Sequence, residues 1–285
     1  YFAMKAVGLN KGSTVLCPAF SYVATAGAIK RLGADIHFAD TDKQGNIGDW
    51  GIMGLPSAVL YVNMFGNLAD YTRLREYCDQ HKIPLIEDAA QSQGAMYGKI
   101  PSGALGDVSV FSFDPMKNMP SFGTGGMVLT DSKDVYDTVM SLRRHGLNGK
   151  SAYGYNSLIS EDHANQLLLI LSKFDKLQKM RKKVFERYKK NLAHTDFIET
   201  QDNTRSNHHK LVMLSNRRDE LKTYLAQNGI ETKIHYTKTL DSNKVGQYPN
   251  AESICAKTLS LPIYPHLEMY EVDYVCERIR KFNGV

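Results

Sequence analysis

The sequence has few cysteines, no long apolar run and no large excess of either charge. Cys17, Cys78, Cys255 and Cys276 are far apart and form no C-x-x-C pair, so neither a zinc cluster nor a disulfide framework is indicated. No stretch approaches the ~20 apolar residues that cross a bilayer, and no charged start leads into a signal-like core. The formal net charge of +5, from 35 basic and 30 acidic residues, is scattered along the chain and does not by itself argue for nucleic acid. The expected setting is the reducing cytoplasm, with neither a membrane nor a nucleic acid as partner. Several catalytic signatures are also missing. Gly149-Lys150-Ser151 has Arg144 where a P-loop needs its first glycine, and there is no G-x-S-x-G elbow or H-E-x-x-H helix. His208-His209 has no acid or cysteine at ligand spacing and reads as a strand-edge pair. The basic run from Lys179 to Lys190 carries apolar residues at helical spacing and reads as a solvated helix face.

With 285 residues and 42% apolar content, the chain can build one large or two modest domains. Short apolar runs at Val15–Cys17, Ile36–Phe38, Ala58–Val62, Pro84–Ile86, Val108–Phe111 and Met127–Leu129 read as strands. Helical patterns at Thr25–Leu32 and Asp70–Gln80 fall between several of them. The fold class is therefore α/β, with a mainly parallel sheet flanked by helices. A long helix from about Glu161, opened by Ser160, reads as the link to a small C-terminal α/β domain, which gives a division at 1–160 and 161–285. Tyr1–Leu9 reads as the middle of a helix ended by Gly12, with no N-cap before it, so part of the natural N-terminus is expected to precede Tyr1.

In open parallel sheets, ligands gather beyond the carboxyl ends of the strands. Asp88 and Ser112 fall at two such ends. Lys117 follows in Phe111-Ser112-Phe113-Asp114-Pro115-Met116-Lys117-Asn118, ahead of the turn Gly123-Thr124-Gly125-Gly126. A lysine that can form an imine and a carboxylate that can face a ring nitrogen are the pair that pyridoxal phosphate chemistry requires. A buried aspartate is costly without a cation, and a cationic cofactor would supply one. Read singly, an acid placed like Asp88 is more often a helix N-cap, and Ser112 either donates to a phosphate or bonds its local backbone.

The strings Glu87-Asp88-Ala89-Ala90-Gln91, Gly106-Asp107, Phe111-Ser112-Phe113, Lys117-Asn118 and Gly125-Gly126 resemble the DegT/StrS family of nucleotide-sugar aminotransferases. The resemblance extends to Pro18–Thr25, Leu142–Gly146, Gly154-Tyr155-Asn156, His235-Tyr236 and Leu259–Pro265. It implies the fold of aspartate aminotransferase, pyridoxal 5'-phosphate as cofactor and a homodimer with a shared active site. Lys117 is then implied to hold the cofactor aldehyde and move the proton, and Asp88 to hold the ring nitrogen. Gln91 would meet the ring hydroxyl side, Tyr22 would stack on the ring and Ser112 would bind the phosphate. Asn156 would reach the phosphate of the neighbouring subunit, while His235 and Tyr236 either touch substrate or simply pack. Glutamate, released as 2-oxoglutarate, would donate nitrogen to a nucleotide-linked ketosugar.

Some positions depart from the family pattern. Asn63 and Asn67 stand where histidine, or proline and histidine, are common, Thr124 replaces an acid, and Ser157-Leu158 replaces an aromatic and an arginine. These changes bear on sugar binding and leave the cofactor set intact. The second reading is a noncatalytic protein of the same fold that binds the cofactor or a nucleotide sugar as a sensor or scaffold.

Overall fold

The computed structural model describes residues 1–50, 54–147, 149–151 and 153–284. Along the chain come α1 (Phe2–Ala6), β1 (Thr14–Pro18), α2 (Val23–Leu32), β2 (Asp35–Ala39), β3 (Ala58–Val62), α3 (Tyr71–His81) and β4 (Leu85–Asp88). Two short strands, β5 (Met96–Tyr97) and β6 (Ile100–Pro101), precede β7 (Val108–Ser112), β8 (Gly126–Leu129) and α4 (Lys133–Leu142). The rest comprises α5 (Glu161–Asn191), β9 (Thr204–Arg205), β10 (Leu211–Leu214), α6 (Arg218–Gln227), α7 (Pro249–Lys257), β11 (Thr258–Leu261) and α8 (Met269–Asn283).

The main sheet has six strands in the order β2-β1-β3-β4-β7-β8. All of its pairings are parallel except β7–β8, which is antiparallel. Strand β3, Ala-Val-Leu-Tyr-Val, is buried along its whole length, as a central strand covered on both faces must be. Its alternate side chains feed two apolar cores: Leu60 and Val62 join Val15, Cys17 and Phe20, while Val59 and Tyr61 join Leu16, Leu74 and Leu85. A third core forms around α5, α6, α8, β10 and β11, with Val184, Tyr188, Leu221, Leu225, Val272 and Ile279 at its centre.

Capping side chains fix several helix starts. Asp70 accepts from the Arg73 N–H at the head of α3, and Ser160 accepts from the His163 N–H at the head of α5, where Glu161 and Asp162 also complement the helix dipole. Glu268 and Glu271 form a reciprocal capping box on α8.

The first helix is shorter than the sequence pattern indicates. It stops at Ala6, and Gly8, with φ of 87°, turns the chain well before Gly12. The small sheet β6-β5-β9 is absent from the sequence reading because two-residue strands carry no alternation to detect. Among the described residues no helix is long and apolar enough to cross a membrane, and no cluster of three or more metal-ligating side chains occurs.

Candidate active site

The carboxyl ends of β1, β3, β4 and β7 open onto one edge of the main sheet. There the hairpin β7–β8, closed by the pairing of Ser112 with Gly126, carries the loop that bears Lys117. The loop is tied internally. Asp114 Oδ1 accepts from the Met116 N–H at 2.9 Å, the Lys117 N–H donates to Asp114 O at 2.9 Å, and Ser121 Oγ donates to Phe113 O at 2.9 Å. Gly123 packs closely at the far side, where an added Cβ would lie 2.5 Å from the His163 ring.

Lys117, Asp88, Gln91, Ser112, Tyr22, His235 and Tyr236 all line a single cavity of about 470 Å³. Burial pushes the Lys117 ammonium below its ordinary value, and Asp88 opposes that shift. Burial likewise raises Asp88, against the Ala90 N–H, the Thr25 hydroxyl and the charge of Lys117. The Thr25 hydroxyl donates to Asp88 Oδ2 at 3.1 Å, and the Ala90 N–H donates to Oδ1 at 3.2 Å. Asp88 therefore has two neutral donors, and among the described residues it forms no ion pair.

The other side chains retain free bonding capacity. Gln91 Oε1 accepts from the Phe65 N–H at 2.9 Å, whereas Nε2 makes only long contacts, to Met64 Sδ and to Tyr236 Oη, each at 3.5 Å. Ser112 Oγ accepts from the Asp114 N–H at 3.3 Å, which leaves its hydroxyl hydrogen available. Tyr22 is 57% exposed and tilts over Tyr236, with ring centroids 5.9 Å apart. A cationic ring with a hydroxyl and a phosphate fits this donor and acceptor set: the carboxylate lacks a cation, and an amide donor, a hydroxyl and an open aromatic face are unsatisfied. His235 Nδ1 lies 2.8 Å from Ser260 Oγ, and burial lowers the ring to about 4, so it is neutral near pH 7. Asn156 lines neither this cavity nor the groove beside it; it is exposed and bridges to Arg144.

The structure alters several expectations. Glu87, one residue before Asp88, is fully buried and faces away from the cavity. It accepts from Asn63 Nδ2, the Ser102 and Ser109 hydroxyls and the Gly103 and Leu105 N–H groups. Asn63 is thus a buried strut that also accepts from the Ala69 N–H, and it does not line the cavity. The histidine pair is not at a strand edge. Asn207 bends the chain, His208 takes φ of 50° and stacks on Phe185 at 4.2 Å, and β10 begins only at Leu211.

His209 is buried beside the site, held neutral, with Nδ1 3.1 Å from Asn118 Oδ1. Asn118 also donates to Asn207 O at 2.9 Å, so the residue after Lys117 is anchored through a polar chain. Lys210 and Arg181 line the neighbouring groove; neither stands out in the sequence, where one is a lone lysine and the other a member of a basic helical run. That groove, of about 1470 Å³, shares Met116, Lys117, His209, Lys210 and His235 with the smaller cavity. All four cysteines are free and buried, and burial raises every thiol, to about 12 for Cys78 and about 11 for Cys255 and Cys276.

Known proteins are similar to this chain in sequence and fold. The family model described as the DegT/DnrJ/EryC1/StrS aminotransferase family matches residues 1–280. A pleiotropic regulatory protein of Geobacillus stearothermophilus is 31% identical over 303 residues, covering 99% of this chain and 82% of that protein. The dTDP-3-amino-3,4,6-trideoxy-alpha-D-glucose transaminase of Streptomyces venezuelae is 31% identical over 299 residues, covering 98% and 79%. The crystal structure of S. venezuelae DesV in complex with a ketimine intermediate superposes with a TM-score of 0.95 at 30% identity, covering 100% of this chain and 82% of that one. A lysine and an unpaired carboxylate at the strand ends, on a sheet shared with these proteins, lead to one assignment: the chain belongs to the DegT/DnrJ/EryC1/StrS family of pyridoxal phosphate-dependent aminotransferases.

Proposed function

We propose that this protein moves an amino group from glutamate to a keto group of a nucleotide-linked sugar, in amino-sugar biosynthesis. The observation that carries this reading is a desolvated amine, Lys117, in one cavity with a carboxylate, Asp88, that lacks a cation. When bound, pyridoxal phosphate supplies an aldehyde that accepts and returns nitrogen and a cationic ring that draws electrons from the substrate carbon. Asp88 would hold the proton on the ring nitrogen, Tyr22 would cover a ring face, Gln91 Nε2 would donate on the ring hydroxyl side and Ser112 would donate to the phosphate. Lys117, once its amine is free, takes the proton from the substrate carbon, a role its lowered basicity suits. His235 and Tyr236 touch the substrate.

We further propose a homodimer in which Asn156 reaches the partner's cofactor phosphate. In support, Asn156 is exposed, and large apolar side chains stand in solvent at Phe122 (85%), Tyr153 (86%), Leu168 (63%) and Leu169 (67%). The division into 1–160 and 161–285 belongs to the same reading and is supported by the separate apolar core around α5, α6 and α8. So does a cytoplasmic location, with which four free cysteines agree.

The test is spectroscopic. Purified protein supplied with the cofactor should be yellow, lose that colour with glutamate while releasing 2-oxoglutarate, and regain it with a nucleotide-linked ketosugar. Borohydride should bleach the yellow and leave the cofactor covalently attached to the protein. Colour that ignores every amino donor would instead indicate a noncatalytic binder.

A further inference from the structure

The groove beside the cofactor cavity contains positive charge that no ion pair among the described residues neutralises. Arg181 is 7% exposed, although it belongs to a helical basic run in which Lys182 pairs with Glu186 and Arg187 with Asp273. Its Nη1 donates to Ile263 O at 2.9 Å and more weakly to His208 O and His209 O at 3.4 and 3.5 Å, while Nε has no partner. Lys210, brought in at the start of β10, forms neither an ion pair nor a side-chain hydrogen bond among the described residues. It lines both the groove and the cofactor cavity, beside Lys117. Burial lowers its ammonium to about 8, helped by Lys117, Arg181 and Lys233; Asp114 is the one acid acting in the other direction. The groove's acids are engaged elsewhere: Asp273 with Arg187, Glu277 with Arg278 and Lys281, Glu271 in the cap of α8, and Glu231 with Lys233.

A helix tie to three carbonyls would explain a neutral donor at Arg181. It does not explain a guanidinium buried without an anion, with a second uncompensated cation nearby, which is a costly arrangement unless a ligand completes it. We propose that Arg181 and Lys210 form an oxyanion subsite of the substrate groove, which holds the charged end of a substrate and so directs its reacting carbon to Lys117. The proposal rests on the aminotransferase reading. Two substrate groups share the required chemistry: the diphosphate of a nucleotide-linked sugar and a carboxylate of the amino donor.

The experiment is calorimetric titration of the cofactor-loaded protein with inorganic pyrophosphate and, separately, with glutarate. Wild type is compared with Lys210→Met, with Lys210→Gln as a polar alternative and Lys210→Arg to restore the charge. Losing one charge-assisted contact should weaken one of the two anions by about tenfold or more, with recovery in Lys210→Arg. The KM of the matching substrate should rise while kcat holds. Weakened pyrophosphate identifies the diphosphate, and weakened glutarate identifies the carboxylate. Unchanged affinity for both anions in Lys210→Met and Lys210→Gln overturns the subsite, even if transamination proceeds. A wild-type protein that binds these anions through Lys210 yet aminates no ketosugar would instead overturn the proposed function.

Discussion

Gly66 and Asn207 approach so closely that a Cβ on the glycine would lie 1.9 Å from Asn207 Oδ1. Asn207 Nδ2 donates to Gln91 O and Gln93 O, each at 2.9 Å, and Oδ1 accepts from the His209 N–H at 2.9 Å. One buried amide thus joins the loop after β4 to the segment leading into β10. Gly66 also has φ of 93°, so Gly66→Ala combines a clash with backbone strain. A loss of about 2 kcal/mol or more is expected, together with weaker cofactor retention. Thermal unfolding and cofactor titration of the variant check both.

Lys117→Ala should abolish turnover while leaving the unfolding temperature near that of wild type, because its side chain lines a cavity and bonds no neighbour among the described residues. Since burial lowers the Lys117 ammonium, its neutral amine is populated at lower pH than that of a surface lysine. Reductive alkylation with a small aldehyde near neutral pH should therefore label Lys117 ahead of the exposed lysines, as peptide mapping would show. Equal labelling throughout would contradict the desolvated site.

Glu87→Gln should be more damaging to the fold than its conservative appearance implies. Both carboxylate oxygens accept, from five donor groups in all, and an amide would turn its own N–H toward some of them. Unmet buried donors of this kind cost ~1–3 kcal/mol each, so a loss of about 3 kcal/mol in denaturant unfolding is expected.

Asp42 provides a pH test away from the cavity. Burial raises it to about 6, against bonds from the Asn46 and Gln44 N–H groups and the Gln201 amide. A raised folded-state value means the contribution is fully present below the unfolded value near 4 and is lost as pH rises to about 6. The stability difference between Asp42→Asn and wild type should therefore change by about 2 to 3 kcal/mol across that window and be flat above it. Parallel denaturation curves between pH 4 and 8 measure the change directly.

The positions of the central strands are legible because each is a short apolar run ending in a turn or a polar residue, as Ala58–Val62 and Pro84–Ile86 show, whereas their order in the sheet comes only from the structure. Lys117 and Asp88 stand out in the sequence for a related reason, since strand ends in an open α/β sheet are where ligands gather, and the structure brings both to one cavity. The residues that escaped the sequence reading depend on contacts between distant segments. His209 looks like half of a histidine pair until Asn207 turns the chain and Asn118, 91 residues away in sequence, meets its ring. Arg181 is one of many basic residues on α5, and only the docking of the segment at His208-His209 and of the stretch after β11 at Ile263 decides that it faces inward. Asn63, a departure from the family pattern, has a role that only the structure reveals: the buried Glu87 beside it takes its amide.

The state of the four cysteines bears on how the protein can carry an aldehyde at all. Sulfur adds readily to such carbonyls, but it does so as thiolate, and each of these side chains is shielded and held in its protonated form. Even Cys17, whose ionisation Asp88 further opposes, stays inert. Should Lys117 carry the aldehyde as proposed, its nitrogen meets little competition from these four thiols, because burial disfavours the thiolates that would trap the electrophile as a thiohemiacetal.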